Sequence, residues 1–257
     1  MSWAQNGSTV KFLAVVPARY AASRFPGKPL ADLGGRPLVQ WVYEAAIGCA
    51  VFDEVVVATE SEEIAARVRQ FGGVVELTRD DHLSGTDRVA EVAERHVDAD
   101  VVVNVQGDQP FTTADMLEVL VGPYVKGERP PMTTLACPLV DVGAWADPNV
   151  VKVVRDLEGN ALYFSRSSIP HGAAESGSPV KPLHHLGLYG FTRETIVRFP
   201  TLLPTPLEQQ ERLEQLRALE NGIRIRVCET KQPTLEVNTP EELEKARHLA
   251  RDGAVPQ

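Results

Sequence analysis

Cysteine is scarce in this sequence. Cys49, Cys137 and Cys228 stand far apart, odd in number and never in CxxC spacing. That excludes a disulfide framework or a thiolate zinc site, and it reads as buried, reduced thiols of a cytoplasmic protein. An excess of positive charge is also missing. Asp plus Glu total 35 against 26 for Lys plus Arg, a formal net charge of -9. This argues against a broad nucleic-acid or anionic-membrane surface, so neither partner is expected. It leaves room for a local basic pocket that takes a small polyanion. The apolar stretch from Phe12 to Ala18 is far too short to span a bilayer. Residues Met1 to Thr9 carry neither a basic start nor an apolar run, so they do not read as a signal peptide. The phosphate-loop pattern GxxxxGKS/T and the dinucleotide fingerprint GxGxxG are both absent.

A chain of 257 residues, 43% hydrophobic and 24% charged, has the composition of an ordinary globular protein and can bury a substantial core. We expect a single domain over 1–257, with a β-rich extension over about 130–200. Phe12 to Pro17 is a continuous apolar run, as for a strand buried on both faces. Pro37 stands where a helix can begin. A strand over Glu54–Thr59 and a helix over Ser61–Gln70 follow, then a strand over Val74–Leu77 and a helix over Thr86–His96. Next come a strand over Asp100–Val105 and a helix over Thr113–Tyr124. Strands alternating with single helices imply βαβ units and a mostly parallel sheet flanked by helices, an α/β fold. Ligands of such sheets bind at the carboxyl edge. From Pro130 to Thr201 strands predominate, and His171 to Pro182 is rich in Gly, Ser and Pro. A helix is expected over Pro206–Glu220, a strand over Ile223–Cys228 and a helix over Thr239–Arg251.

Three segments at the predicted edge carry chemistry. Pro17 to Leu30 holds Arg19, Arg24 and Lys28, together with Ser23, Gly27 and small alanines. A triphosphate needs guanidinium forks, an ammonium and accessible N–H groups, and this loop offers all three. Thr78 to Arg88 is a polar loop that ends in a Ser-Gly-Thr helix start, where hydroxyls and a helix N-terminus can hold an anion or read a base edge. In Asn104 to Pro110, Asp108 follows an apolar strand beside Gly107, which suits a Mg²⁺ ligand. Glu211 and Gln215 stand four apart, on one face of the expected helix.

These motifs stand in order with Asn149-Val-Val-Lys-Val153, Ala161 to Pro170, His184 to Phe191 and Leu213 to Arg217. Together they resemble the sugar-acid cytidylyltransferases, and within that family the branch that acts on 3-deoxy-manno-octulosonate (Kdo). The resemblance runs from about Phe12 to Arg247. It implies a nucleotide-diphospho-sugar transferase-like fold and an enzyme that joins CMP from CTP to a small acidic acceptor, releasing pyrophosphate. It also implies Mg²⁺ as cofactor, a homodimer formed through the β extension, and an acceptor lobe in that same extension. Catalytic roles fall on Arg19, Lys28 and Asp108. Nucleotide binding falls on Pro17, Ala18, Arg19, Ser23, Lys28, Arg79, Ser84, Arg88 and Gln106. Acceptor binding falls on Gln106, Arg166, His185, Tyr189, Glu211 and Gln215, and metal binding on Asp108 and Asn238. The sequence departs from the pattern with Asn238 where the family has Asp, Gln109 where it has Glu, Glu60 where it has Asp and His171 where it has an aromatic residue, and its loop between Pro170 and His184 is shorter than usual. Asn keeps an oxygen ligand but loses a charge, which leaves a phosphonate such as phosphonoformate open as an alternative acceptor. A non-catalytic CTP-binding homologue is the third reading.

Overall fold

The apolar run Phe12–Pro17 forms strand β1, whose first five side chains are buried. In the computed structural model the described residues are 10–21, 25–139, 141–173 and 178–251. Ser23, Arg24 and part of the Gly/Ser/Pro-rich loop, residues 174–177, lie outside them. The chain packs into two units, residues 1–118 with 234–257 and residues 119–233.

In the first unit β1 pairs in parallel with β4 (Glu54–Thr59) on one side and with β6 (Val101–Asn104) on the other, and β4 pairs in parallel with β5 (Val75–Leu77). Val101 to Asn104 are buried throughout, as the apolar run predicts for a strand covered on both faces. Helices α1 (Leu38–Gly48), α2 (Glu62–Gln70) and α3 (Gly85–Arg95) pack on these strands. Ser61 caps α2 by accepting from Ile64 N, and Ser84 caps α3 in a reciprocal capping box with Asp87. Between β1 and α1 the chain makes a 3-10 turn at Lys28–Leu30 and a small hairpin of β2 (Asp32–Leu33) and β3 (Arg36–Pro37). Helix α4 spans Ala114–Val125. The last helix, α9 (Pro240–Arg251), returns to the first unit, where Leu243 and Ala246 join Leu33, Leu38, Phe111 and Val237 in one apolar cluster.

In the second unit β7 (Met132–Pro138) pairs antiparallel with β10 (Leu183–Thr192) and in parallel with β11 (Ile225–Glu229). Strand β8 (Lys152–Arg155) pairs antiparallel with both β10 and β9 (Ala161–Ser165). The short helices α5 (Val142–Ala146) and α6 (Arg193–Arg198) connect these elements. Strand β10 bulges between His185 and Tyr189, where Gly187 has φ 70°, a backbone state that glycine adopts without strain. Among the described residues no helix is long and apolar enough to cross a membrane.

The single helix expected over Pro206–Glu220 is instead two, α7 (Pro206–Glu211) and α8 (Gln215–Glu220). Arg212 between them is left-handed, with φ 56° and ψ 48°. Residue spacing reveals helical periodicity but not a single αL residue. The break is held by buried Leu213, whose N–H reaches Glu208 O, and by Arg217, which forks back onto the Glu208 carboxylate. Glu211 and Gln215 therefore do not share a helix face.

A side chain in the αL state costs about 1 kcal/mol or more that glycine avoids. Arg212→Gly should therefore raise the unfolding free energy by about 0.5–1 kcal/mol. Urea titration measures this, and a loss of stability would mean that the chain does not break at this residue.

Candidate active site

The strand order of the first unit creates its crevice. From β1 the chain moves outward through β4 to β5, then returns to place β6 on the opposite side of β1. The loops after β1 and β6 thus part at the carboxyl edge, the position where open α/β sheets bind ligands. A cavity of about 400 Å³ opens there. Pro17, Arg19 and Lys28 line it from the first loop, and Gln106, Gly107 and Asp108 from the second. Ser84, Gly85 and Arg88 line it from the start of α3, and Asn238 from the segment before α9. The two loops nearly touch. A Cβ on Gly107 would lie 2.5 Å from Pro17 O, so only glycine fits without a backbone shift.

Among the described residues three cations line this cavity, each held differently. Lys28 Nζ lies 3.0 Å from Asp108 Oδ2 and donates to Asn238 Oδ1 at 3.3 Å. Asp108 is further tied by its carbonyl, which accepts from Val237 N at 2.8 Å. Arg19 Nη2 donates to His82 O at 2.8 Å, linking the first loop to the segment before α3. Arg88 is 1% exposed and pairs with Glu60 at 2.9 Å while donating to Thr78 Oγ1 and to Arg79 O. Burial pushes the Arg88 pKa down, and the Glu60 carboxylate opposes that shift. The other oxygen of Glu60 accepts Tyr20 N–H at 2.8 Å, so one carboxylate both balances a buried guanidinium and holds the first loop. The N-terminus of α3 adds a partial positive charge at Ser84 and Gly85, which favours an anion. Glu236 accepts from Asn238 Nδ2 at 3.1 Å and from Gln109 Nε2 at 3.3 Å. Its pKa is raised, first by removal of its carboxyl from water and then by the Asp108 charge.

The first unit therefore brings together Pro17, Arg19, Lys28, Ser84, Arg88, Gln106, Asp108 and Asn238 of the sequence candidates. Ala18 supports them from beneath, 1% exposed, with its N–H bound to Ala58 O. The Ser84 hydroxyl is engaged as the helix cap. Arg79 is not among the lining residues; its side chain is 67% exposed and faces Asp81 and Glu91. Ser23 lies outside the described residues. Sequence reasoning assigned no site role to Glu60 or Glu236. For Glu60 the signal was its place directly after a buried strand, at the same sheet edge as Arg19 and Asp108.

The remaining candidates form a polar cluster in the second unit. Glu211 accepts from Ser165 Oγ at 2.6 Å and Arg166 N at 2.9 Å, and Arg166 Nε donates to Glu211 O at 2.8 Å. Beneath them Lys152 is fully buried and donates to the carbonyls of Asp147, Val150 and Arg166. Tyr189 Oη donates to Gln215 Oε1 at 3.0 Å, and Gln215 Nε2 lies 3.4 Å from His185 Nδ1. An amide N–H aimed at Nδ1 leaves the His185 proton on Nε2, which meets Thr134 Oγ1 at 2.9 Å, and that hydroxyl in turn donates to Leu188 O. His185 is thus held neutral. Burial, then the neighbouring His184, lowers its pKa to about 3.

Comparison with known proteins agrees in sequence and in structure. The profile of a cytidylyltransferase family matches residues 13–225. A 3-deoxy-manno-octulosonate cytidylyltransferase of Acaryochloris marina is 57% identical over 244 residues, covering 95% of this chain and 99% of the relative. One from Synechococcus elongatus is 51% identical over 242 residues, covering 94% and 98%. The solved structure of a CMP:2-keto-3-deoxy-manno-octonic acid synthetase complexed with CTP superposes with a TM-score of 0.89 at 40% identity, covering 95% and 99%. A glucose-1-phosphate thymidylyltransferase from Bacillus anthracis, at TM-score 0.63 and 18% identity, shares the fold.

The His185 network makes stability depend on pH. The folded state takes up this proton only near pH 3, whereas an unfolded histidine takes it up near 6.5. Between those values the unfolded chain binds more protons, so this contribution is full above 6.5 and is lost as pH falls, by about 1.4 kcal/mol per pH unit. The stability difference between the protein and its His185→Gln variant should therefore shrink as pH is lowered from 7 to 5. Denaturant melts at each pH measure it, and a pH-independent difference would refute the neutral assignment.

Proposed function

This chain belongs to the cytidylyltransferase family, and from that premise we propose that it couples CMP from CTP to Kdo, releasing pyrophosphate. The observation that carries the reading is the set of Arg19, Lys28 and the α3 N-terminus around one cavity of an otherwise acidic chain. The choice of Kdo rests on the named activity of relatives that match the chain from end to end. In the proposed reaction a hydroxyl oxygen of Kdo attacks the α-phosphorus of CTP and gives up its proton to solvent water. The bond from that phosphorus to the bridging oxygen breaks, and the electron pair leaves with pyrophosphate. Arg19 and Lys28 bind the triphosphate and stabilise charge as it shifts toward the leaving group. The Lys28 ammonium holds Asp108 until phosphate oxygens compete for it.

Among the described residues no group of three or more His, Cys, Asp or Glu side chains could hold a metal ion. Mg²⁺ does not need one, because it commonly takes one or two carboxylates, substrate phosphates and water. The Asp108 carboxylate and the Asn238 amide oxygen, both beside Lys28, fit that requirement. When bound there, the ion neutralises triphosphate charge. In this reading Arg166, His185, Tyr189, Glu211 and Gln215 of the second unit bind the acceptor, and Gln106 belongs to the cavity of the first. The Glu211 carboxylate, occupied by Ser165 and Arg166 N, fixes Arg166 rather than reacting. The β-rich stretch of about 130–200 serves as the acceptor lobe and the contact surface of a homodimer. Sedimentation equilibrium is expected to return twice the chain mass, and a single-chain mass would remove the dimer from the reading.

Pyrophosphate release from CTP and Mg²⁺ over a panel of acceptors tests the reaction. Kdo should be turned over far faster than phosphonoformate, and Lys28→Met should lower kcat about 100-fold or more. Faster turnover of phosphonoformate would transfer the assignment to a phosphonate acceptor. CTP binding without release for any acceptor would leave a binding protein.

A further inference from the structure

We propose that Glu236 is a positioning residue for the cation site: its carboxylate holds the Asn238 amide with the oxygen turned toward Asp108 and Lys28. This rests on the reading above, in which Asp108 and Asn238 bind the divalent ion. A primary amide has a donor end and an acceptor end, and only the acceptor end serves a cation. At Asn238 both ends meet complementary partners. Nδ2 donates to Glu236 Oε2 at 3.1 Å, and Oδ1 accepts from Lys28 Nζ at 3.3 Å. A flipped amide would set NH₂ against an ammonium and an oxygen against a carboxylate.

The surrounding backbone leaves the amide little other freedom. Asn238 N and Thr239 N both donate to Glu242 Oε2, at 2.6 and 3.0 Å, and Val237 N donates to Asp108 O. The second oxygen of Glu236 accepts from Gln109 Nε2, which fixes the carboxylate in turn. Lys28 is the partner that the triphosphate competes for. Once it turns to phosphate, Glu236 is the group that keeps the amide oxygen inward. A charged acceptor on Nδ2 also polarises the amide and makes Oδ1 a stronger ligand. The pair thus supplies a neutral ligand atom with a negative charge directly behind it, an arrangement whose loss typically weakens metal binding 10- to 100-fold.

The test is Mn²⁺ binding in the presence of α,β-methylene CTP, followed by electron paramagnetic resonance, so that no turnover is involved. Glu236→Ala should weaken Mn²⁺ binding about tenfold. In an Asn238→Asp background there is no amide to orient, and the same change should cost roughly threefold or less. Equal losses in the two backgrounds would overturn the proposal, since Glu236 would then act only through its charge. Glu236→Gln replaces a charged acceptor by a neutral one of the same length, and it serves if the alanine variant fails to fold. It should weaken binding in the native background and leave the Asn238→Asp background unchanged, and any other pattern overturns the inference. Asp108→Asn separates the two layers. If the native protein binds no Mn²⁺, or binds it as well with Asp108→Asn, the metal reading itself fails.

Discussion

The site depends on the approach of two loops at the point where the parallel sheet reverses its order. Pro17 O and the Cα of Gly107 come so close that no side chain fits between them. That contact sets where Lys28 and Asp108 can meet, because each lies on one of the two loops. A parallel sheet whose strands ran outward in one direction only would place consecutive loops side by side with no crevice. Returning the chain across β1 to add β6 opens a gap at the carboxyl edge, and the side chains that follow each strand face into it. The apolar run of β1 therefore has a functional consequence. Its burial on both faces fixes the register of β4 and β6 against it, and that register fixes the spacing of the charged loops.

Charge is arranged in two layers around this crevice. Arg88 is almost wholly buried, and an uncompensated guanidinium there would be severely unfavourable. Glu60 offsets it and uses its second oxygen to hold Tyr20 N–H. The buried layer thus spends its charge on the shape of the first loop. Lys28 and Asp108 form the upper layer, still partly open to water at 14% and 25% side-chain exposure, where the ion pair can be exchanged for a ligand. Partial exposure matters because a cation buried as deeply as Arg88, 1% exposed, would cost too much to release from its partner.

Much of this was legible in the sequence, and the parts that were not have separate causes. β1 and β4 could be read to the residue, since continuous apolar runs with sharp polar edges admit few other structures. Asp108 and the cationic loop were legible because each follows such a run directly. The break at Arg212 was not, because a single left-handed residue leaves helical spacing nearly intact on either side. The resemblance implies a nucleotide contact for Arg79, whose exposed side chain faces Asp81 and Glu91. Glu236 was passed over. Its partners, Gln109 and Asn238, are distant or neutral, so neither spacing nor charge pattern marks it.

The two polar centres differ in how they keep their groups ready. In the first unit readiness is electrostatic. Lys28 sits on Asp108, and the two charges balance where the pair is still partly open to water. In the second unit readiness comes from fixed neutral hydrogen bonds. His185 is locked in one tautomer between Thr134 and Gln215, and Tyr189 completes the chain through the same amide. The network is neutral, and a histidine with a pKa of about 3 stays uncharged across the physiological range. Lys152 extends the same logic. Its ammonium is satisfied wholly by the carbonyls of Asp147, Val150 and Arg166, so it pins the backbone of Arg166 without competing for the guanidinium. Arg166 Nε is held on Glu211 O and its Nη1 on Pro148 O, so backbone carbonyls orient the guanidinium.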